Sequence, residues 1–161
     1  MPVAWTARAS RPPRGGPRGY DAGKRVKGRK RHLAVDAEGW LLRAVVHPAS
    51  VQDAAGARLV LAELAVPGAS PRLARLWVDG AYPAAVAFAA SYAGVTLEVV
   101  KRPDAAKGFV VVPRRWVVER TFGWLGRCRA LSKDYEATTE SGEAWIYLAM
   151  THFMLKRLHP K

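Results

Sequence analysis

The chain has 161 residues, half of them apolar, which suits one compact domain with a substantial core. Its single cysteine, Cys128, excludes an internal disulfide framework, and no apolar run approaches the roughly 18 residues that span a bilayer. The formal net charge of +13 indicates a polyanionic partner. We therefore expect a cytoplasmic protein that does not bind membranes.

The first 29 residues are rich in arginine, proline and glycine and lack hydrophobic periodicity. This composition predicts a basic, disordered arm, followed by one domain over residues 30–161. Between residues 1 and 31 there are ten lysines and arginines against one acid, Asp21. Most of the excess positive charge therefore lies at the N-terminal end.

Beyond residue 30, short apolar runs bounded by turn residues predict strands, and apolar residues at helical spacing predict helices. The predicted strands are residues 30–35, 40–46, 73–79 and 96–100, with a brief extended piece at 109–112. The predicted helices are residues 53–65, 82–93, 116–131 and 140–158, the last with Trp145, Leu148, Ala149, His152 and Leu155 on or near one face. The alternation favours an α/β sheet covered by helices.

Two acids stand where such a sheet can hold metal. Asp79 ends a predicted strand, at the edge where ligands gather, and Glu119 lies on a later predicted helix. Carboxylate oxygens suit Mg²⁺ or Mn²⁺, and two such ions about 4 Å apart promote phosphodiester displacement. Alone, the pair is weak evidence, because most helix acids are simply solvated.

Several basic residues lie near Glu119 in the sequence. Arg115 lies one helical turn before it, and Arg127 and Arg129 follow two to three turns later. The simpler alternative is an ion-paired helix in which Arg115 neutralises Glu119. That alternative explains one pair and not the excess of arginine, so a polyanion-binding surface is favoured.

Several segments together resemble the catalytic half of bacterial DDE transposases, of the type grouped around insertion sequences four and five. They are RGYDAGKRVKGRKRHLAVD, HPASVQD, WVDGAY, AKGFVVVPRRWVVERTFGWLGRCRALSKDYE and EAWIYLAM, spread from about residue 15 to residue 158. The resemblance implies a ribonuclease H-like fold, with a mixed five-stranded sheet in the order β-β-β-α-β-α-β-α. It also implies a bacterial cytoplasmic enzyme that uses Mg²⁺ or Mn²⁺, acts on transposon ends and target DNA, and forms homo-oligomers when complete.

The resemblance assigns roles to individual residues. Asp79 matches the second catalytic acid and Glu119 the third, both as metal ligands, and Arg115 matches the arginine of the signature. The tyrosine that usually precedes this arginine is replaced by Val112, and Gly126 replaces a basic residue after Glu119. The residues expected to contact DNA are Lys24, Lys27, Arg29, Lys30, Arg31, Arg114, Arg115, Arg120, Arg127, Arg129 and Lys133.

The first catalytic acid is absent. Relatives carry it on the first, central strand in a segment resembling DSQSVKTTE, and counting back from Gly15 places Trp5 at its position. A permitted back-translation of residues 5–14 is TGG ACA GCC AGA GCG TCA AGA CCA CCG AGG. Read two nucleotides later, it encodes D-S-Q-S-V-K-T-T-E. We infer that residues 5–14 are an out-of-frame reading of that strand, a hypothesis that the gene sequence tests directly.

This replacement predicts a damaged enzyme. Tryptophan cannot ligate a metal ion, and prolines and arginines do not readily fill a buried middle strand. We therefore expect the first strand to be missing or degraded, metal binding to be impaired, and the chain to be weakly active or inactive. The frame change is either decay or programmed frameshifting, and the sequence leaves both open.

Two other functions remain as alternatives. One is a non-catalytic DNA-binding fragment that modulates an intact transposase. The other is a basic RNA-binding protein of ribosomal character, which the charge permits but the pairing of WVDGAY with RRWVVER does not explain.

For the remaining polar and aromatic residues, structural roles are favoured. We assign Asp36 to a hairpin turn and Asp53 to the N-cap of the next helix. For His32, His47, Trp116, Phe122, Trp124 and Trp145 we favour packing over catalysis or base stacking.

Overall fold

The computed structural model describes residues 2–10, 16–68, 70–78, 88, 91, 94–100 and 113–159, with only the backbone described at 2–10 and 113–115. The predicted helix at 82–93, apart from Phe88 and Ser91, and the predicted extended piece at 109–112 lie outside the described residues. None of the described helices is both long and apolar enough to cross a membrane.

A mixed sheet flanked by helices forms the described part of the chain. Its elements are β1 (Pro2–Ser10), β2 (Gly19–Asp21), β3 (Val26–Val35), β4 (Leu41–Pro48), α1 (Asp53–Leu64), β5 (Arg75–Val78), β6 (Thr96–Val99), α2 (Pro113–Gly126), a 3₁₀ turn (Arg129–Leu131) and α3 (Thr139–Leu158). The main strands lie in the order β4-β3-β1-β5-β6. β3 is antiparallel to both β1 and β4, whereas β5 is parallel to β1 and β6. The short β2 pairs with the start of β3.

Predicted elements within the described residues are confirmed, with shifted ends. The strand predicted from residue 30 begins at Val26, because β2 extends the pairing of β3 toward its start. The helix predicted over 116–131 divides into α2 and the 3₁₀ turn. The division falls after Gly126, where glycine weakens a helix and the amide of Arg127 bonds to the carbonyl of Trp124.

The expectation that the first strand is missing or degraded is wrong. β1 runs through Pro2–Ser10 at the centre of the sheet, paired with β3 on one side and β5 on the other. Strand pairing uses backbone groups, which an altered reading frame does not remove. The only proline within β1 is its first residue, Pro2, and Pro12 and Pro13 follow its end. The arm predicted to be disordered thus contains β1, β2 and the start of β3.

The sheet separates two apolar layers. On one face, α1 packs Ala57, Val60 and Leu61 against side chains from β3, β4 and β5. The helix presents them because buried residues recur at Gly56, Ala57, Val60, Leu61 and Leu64, three to four positions apart. On the other face, α2 and α3 cover alternate residues of the same strands, namely Leu33, Val35, Ala44 and Val46.

Helix α3 also protects the edge strand β4. The backbone amide of Val46 donates to Oε1 of Glu143 at 2.7 Å, and the amide of Ala44 donates to the hydroxyl of Tyr147 at 3.1 Å. Burial raises the pKa of Glu143, although the bond from Val46 opposes the shift. The side chains of α3 therefore satisfy strand amides that would otherwise form an open edge.

Most of the residues that the sequence groups on or near one face of α3 lie on its exposed side. Ile146 and Met150 are buried, whereas Leu148 and Leu155 are 59% and 54% exposed. Trp145 is also exposed, whereas Ala149 packs against the core. Both sides of this helix carry apolar residues, and hydrophobic spacing alone does not say which side meets the sheet.

We expect Ile146→Ala to lower the free energy of unfolding by about 3 kcal/mol, because it opens a cavity in a fully buried site. Leu155→Ala, on the same helix, should change it by less than about 0.5 kcal/mol. Urea denaturation of both variants measures the difference. Equal losses would mean that the outer face of α3 is covered in the folded protein.

Candidate active site and basic surface

The pairing of β1 with β5 sets the position of Trp5 relative to Asp79. The parallel register joins Pro2 to Arg75 and Ala4 to Trp77. Continued by one residue, it brings the backbone of Trp5 level with Val78, which directly precedes Asp79 in the chain. Asp79 itself lies outside the described residues. Position 5 is thus on the central strand, beside the end of the strand that leads into Asp79.

Helix α2 carries Glu119 on its exposed side. The helix packs against β1, β3 and β5, and its inner positions Val118, Phe122 and Leu125 are buried. Because Glu119 follows Val118 by about 100° around the helix, its carboxylate points out of the core. The side chains of Arg114 and Arg115 lie outside the described residues, so the predicted pairing of Arg115 with Glu119 stays a prediction.

The donor set fits a divalent metal site poorly. An indole has an N–H donor but no lone pair for a metal ion, so Trp5 supplies no ligand. In the described part of the chain, no group of three or more His, Cys, Asp or Glu side chains is placed to hold a metal ion. Of the three catalytic acids that the resemblance implies, only Asp79 and Glu119 are present in this chain to bind a metal ion.

Arg29 is buried and holds two segments of the protein together. It is fully buried, and its guanidinium donates to the carbonyls of Thr138, at 2.6 Å, and of Glu136. Its Nε lies 3.4 Å from a carboxylate oxygen of Asp134, which is also buried. Arg29 therefore joins β3 to the segment that leads into α3, and its prediction as a DNA contact is corrected.

Arg31 and Lys30 are also engaged inside the protein. Arg31 donates to the carbonyls of Leu131 and Lys133 at 2.9 and 3.0 Å. Lys30 lies 2.9 Å from a carboxylate oxygen of Asp21 and 2.8 Å from one of Asp53. Both side chains are at least nine-tenths buried, so we remove them from the proposed DNA-binding surface as well.

The carboxylates beside Lys30 are held ionised. Burial disfavours its ammonium group, but the hydrogen bonds that this group donates to Asp53 and Asp21 outweigh that effect and raise the pKa of Lys30. The amide of Lys24 and the ammonium of Lys30 lower the pKa of Asp21.

Asp53 is the first residue of α1, and Gln52 occupies the cap position, so the predicted N-cap role of Asp53 is incorrect.

His32 and His47 form a buried, stacked pair. Their rings are 4.8 Å apart, and Nε2 of His47 lies 2.8 Å from Nδ1 of His32. Burial, with a smaller effect from His47, lowers the pKa of His32 to about 3. Burial also lowers the pKa of His47. Both rings are therefore neutral near pH 7, and the favoured packing role fits their burial.

The other residues that were predicted to contact DNA are accessible to solvent where the structure describes their side chains. The exposed members are Lys24, Lys27, Arg127, Arg129 and Lys133, with Arg120 half-buried. Three of these residues follow the C-terminal end of α2, the helix that carries Glu119, namely Arg127, Arg129 and Lys133.

The β3–β4 hairpin packs against α2 and α3. As predicted, the carboxylate of Asp36 fixes the turn, accepting from the amides of Glu38 and Trp40 at 2.9 Å. Trp40 contacts Trp124, with ring centroids 5.6 Å apart. The favoured packing role fits the buried Phe122, whereas Trp116 and Trp145 are 45% and 41% exposed.

Sequence reasoning missed two residues at this hairpin, Trp40 and Arg157. The Arg157 guanidinium lies over the Trp40 ring, 5.9 Å from its centroid. More than a hundred residues separate the two, so no local pattern links them.

Most of the chain is similar to one known protein family. Residues 5–154 match the family model described as Transposase DDE domain. The match covers most of the chain, begins at Trp5, and includes both Asp79 and Glu119. No curated protein and no solved structure matches the chain.

Proposed function

The chain belongs to the Transposase DDE domain family, and on that premise we propose that it is a transposase catalytic domain whose active site is incomplete. In this proposal it binds duplex DNA but does not cleave it efficiently. The observation that carries the proposal is the position of Trp5, on the central strand beside the end of β5.

The order of elements supports a ribonuclease H-like fold of the insertion sequence four and five type. Three antiparallel strands, β1, β3 and β4, are followed by α1, then by the parallel strands β5 and β6, and then by α2. These elements follow the order implied by the resemblance, with β2 as a short addition; the helix implied between β5 and β6 lies outside the described residues, apart from Phe88 and Ser91. It supports the assignment of Asp79 and Glu119 as the second and third catalytic acids.

Transposases of this class generally depend on a divalent metal ion. In this chain, two carboxylates at most stand where the family uses three, so we propose impaired binding of Mg²⁺ or Mn²⁺. What the chain retains is a surface for the DNA backbone, with exposed basic residues at the end of α2. Transposon ends, target DNA and assembly into homo-oligomers are proposed for the complete enzyme, and the cytoplasmic location stays a prediction.

The alternative function is a DNA-binding fragment that modulates an intact transposase. The same observation favours it, because a chain with DNA contacts and no complete site would compete for DNA without cutting it. The two functions differ in whether any residual cleavage depends on Asp79.

We expect the purified chain to bind duplex DNA with little sequence preference and with an affinity that falls steeply as salt rises. With Mn²⁺, cleavage of a plasmid carrying terminal inverted repeats should not exceed background. The measurements are fluorescence anisotropy against salt and a gel assay for nicking.

Asp79→Ala and Glu119→Gln are the matched variants for this experiment. Cleavage that either variant abolishes would show an active enzyme and overturn the proposed inactivity. Absence of DNA binding at low salt would overturn DNA as the partner.

A further inference from the structure

A surface pocket of about 350 Å³ lies where the β3–β4 hairpin meets α2 and α3. It is lined by Ala37, Glu38, Arg120, Trp124 and Arg157. The lining combines two guanidinium groups with an indole. Glu119, the acid of the candidate active site that the structure describes, does not line it.

Two arginines and two tryptophans form a continuous chain of contacts at this pocket. Arg120 lies over the Trp124 ring, 5.0 Å from its centroid, and Arg157 lies over the Trp40 ring at 5.9 Å. The two indoles contact each other between them. A guanidinium stacked on an aromatic face keeps its in-plane N–H groups available at its edge. We call this group of four side chains the Arg–Trp clamp.

The clamp is preorganised by the hairpin. Nη2 of Arg120 donates to the carbonyl of Glu38 at 2.6 Å, and the Thr121 hydroxyl donates to the carbonyl of Gly39 at 2.8 Å. Gly39 has a φ of +93°, and a Cβ there would lie 2.8 Å from that hydroxyl oxygen. The turn is therefore docked closely on α2, and the Arg120 side chain has little freedom left to lose when a ligand binds.

The clamp retains donors for an anion. The Arg157 side chain is exposed, and among the described residues no hydrogen bond or ion pair engages it, whereas the Nε of Arg120 is buried. The carboxylate of Glu38 also borders the pocket, where it accepts from Nε1 of Trp40 at 3.2 Å. Two guanidiniums against one carboxylate leave a net positive charge, which suits a singly charged phosphodiester.

We propose that the Arg–Trp clamp binds a backbone phosphate of duplex DNA that lies along α2. The inference rests on the proposed function, because it takes DNA as the partner. Trp124 is five residues beyond Glu119, or about 7.5 Å along the helix axis. Five residues also turn the helix by about 140°, so the clamp lies on a different flank of α2 from Glu119 and contacts the duplex away from that carboxylate.

The test compares Arg157→Gln with Lys156→Gln in the full chain. Both remove one positive charge from the last turn of α3, but Lys156 does not line the pocket. Arg157→Gln should weaken binding of a 20-base-pair duplex about fivefold and reduce the salt slope by about 1. Lys156→Gln should change the affinity by less than about twofold. Equal effects of the two variants would overturn the clamp while leaving DNA binding by the wild type intact.

Glu38→Gln gives a test of opposite sign. It removes the negative charge at the pocket but keeps an oxygen for the Trp40 N–H, so DNA binding should tighten about threefold. Glu63→Gln, on α1 across the sheet, is the charge-matched control and should have a smaller effect. Weaker binding by Glu38→Gln, or an equal gain from the control, would contradict the proposal.

Inorganic phosphate separates a DNA site from a site for a free anion. Calorimetry with phosphate alone should give no more than weak, millimolar binding. Phosphate binding that requires Arg157, together with unchanged DNA binding by Arg157→Gln, would overturn DNA as the ligand of the clamp. A wild-type chain that binds no DNA would overturn the proposed function, and the clamp assignment with it.

Discussion

Restoring D-S-Q-S-V-K-T-T-E at positions 5–13 is expected to raise Mn²⁺-dependent DNA cleavage by at least about 100-fold, because it returns a charged ligand to the centre of the site. The restored segment keeps the strand, since β1 is held by backbone pairing to β3 and β5. The carboxylate introduced at position 5 would stand level with Val78, next to Asp79 in the chain. The measurement is plasmid nicking at a fixed concentration of folded protein.

Two controls make this expectation specific. The same restored segment carrying Trp5→Asn has nearly the same shape and no charge, so it should stay near background. The restored segment combined with Asp79→Ala should do the same. If the restored chain is folded, binds DNA and still cleaves no better than the original, position 5 is not the position of the first acid.

Arg29→Met is expected to lower the free energy of unfolding by about 3–5 kcal/mol, because it leaves Asp134 buried without its partner. The substitution also removes the donor to the carbonyls of Glu136 and Thr138. A loss of this size is comparable with much of the stability of a typical domain, about 5–15 kcal/mol. Urea denaturation followed by circular dichroism measures it.

Lys27→Met is the matched control, since it removes a charge from an exposed residue of the same strand and should cost less than about 0.5 kcal/mol. Adding Asp134→Asn to Arg29→Met should recover part of the loss if the ion pair carries it. If Arg29→Met lowers the free energy of unfolding by less than about 1 kcal/mol, the buried contacts of Arg29 do not stabilise the fold as proposed. While the protein remains folded, the variant should keep the salt slope of DNA binding, because Arg29 is buried.

Much of the fold beyond residue 30 follows from local patterns. Alternating and helical spacings predicted β3, β4, α1, β5, β6, α2 and α3, because each spacing reflects the geometry of its own segment. The turn at Asp36 was also predictable, since a short acid bonds to backbone amides a few residues away.

The predictions that failed depend on distant partners. The arginines of β3 looked like DNA contacts, but Arg29 and Arg31 reach carbonyl acceptors about a hundred residues later. A buried cation can be identified only once the positions of its acceptors in the folded protein are known. The inner face of α3 could not be chosen for a related reason, because Ile146 and Leu155 have similar hydrophobicity and only packing distinguishes them.

The sequence by itself determined the family resemblance and the presence of the acids Asp79 and Glu119, and it carries the hypothesis of a frame change that puts Trp5 in place of a third acid. Those conclusions depend on residue identity, which is a local property of the chain. Tertiary structure alone decided that β1 forms, because its hydrogen bonds to β3 and β5 are made by backbone groups, which are the same whatever the side chains. It also decided which basic residues face solvent and brought Arg157 to Trp40, since burial and stacking exist only after distant segments meet.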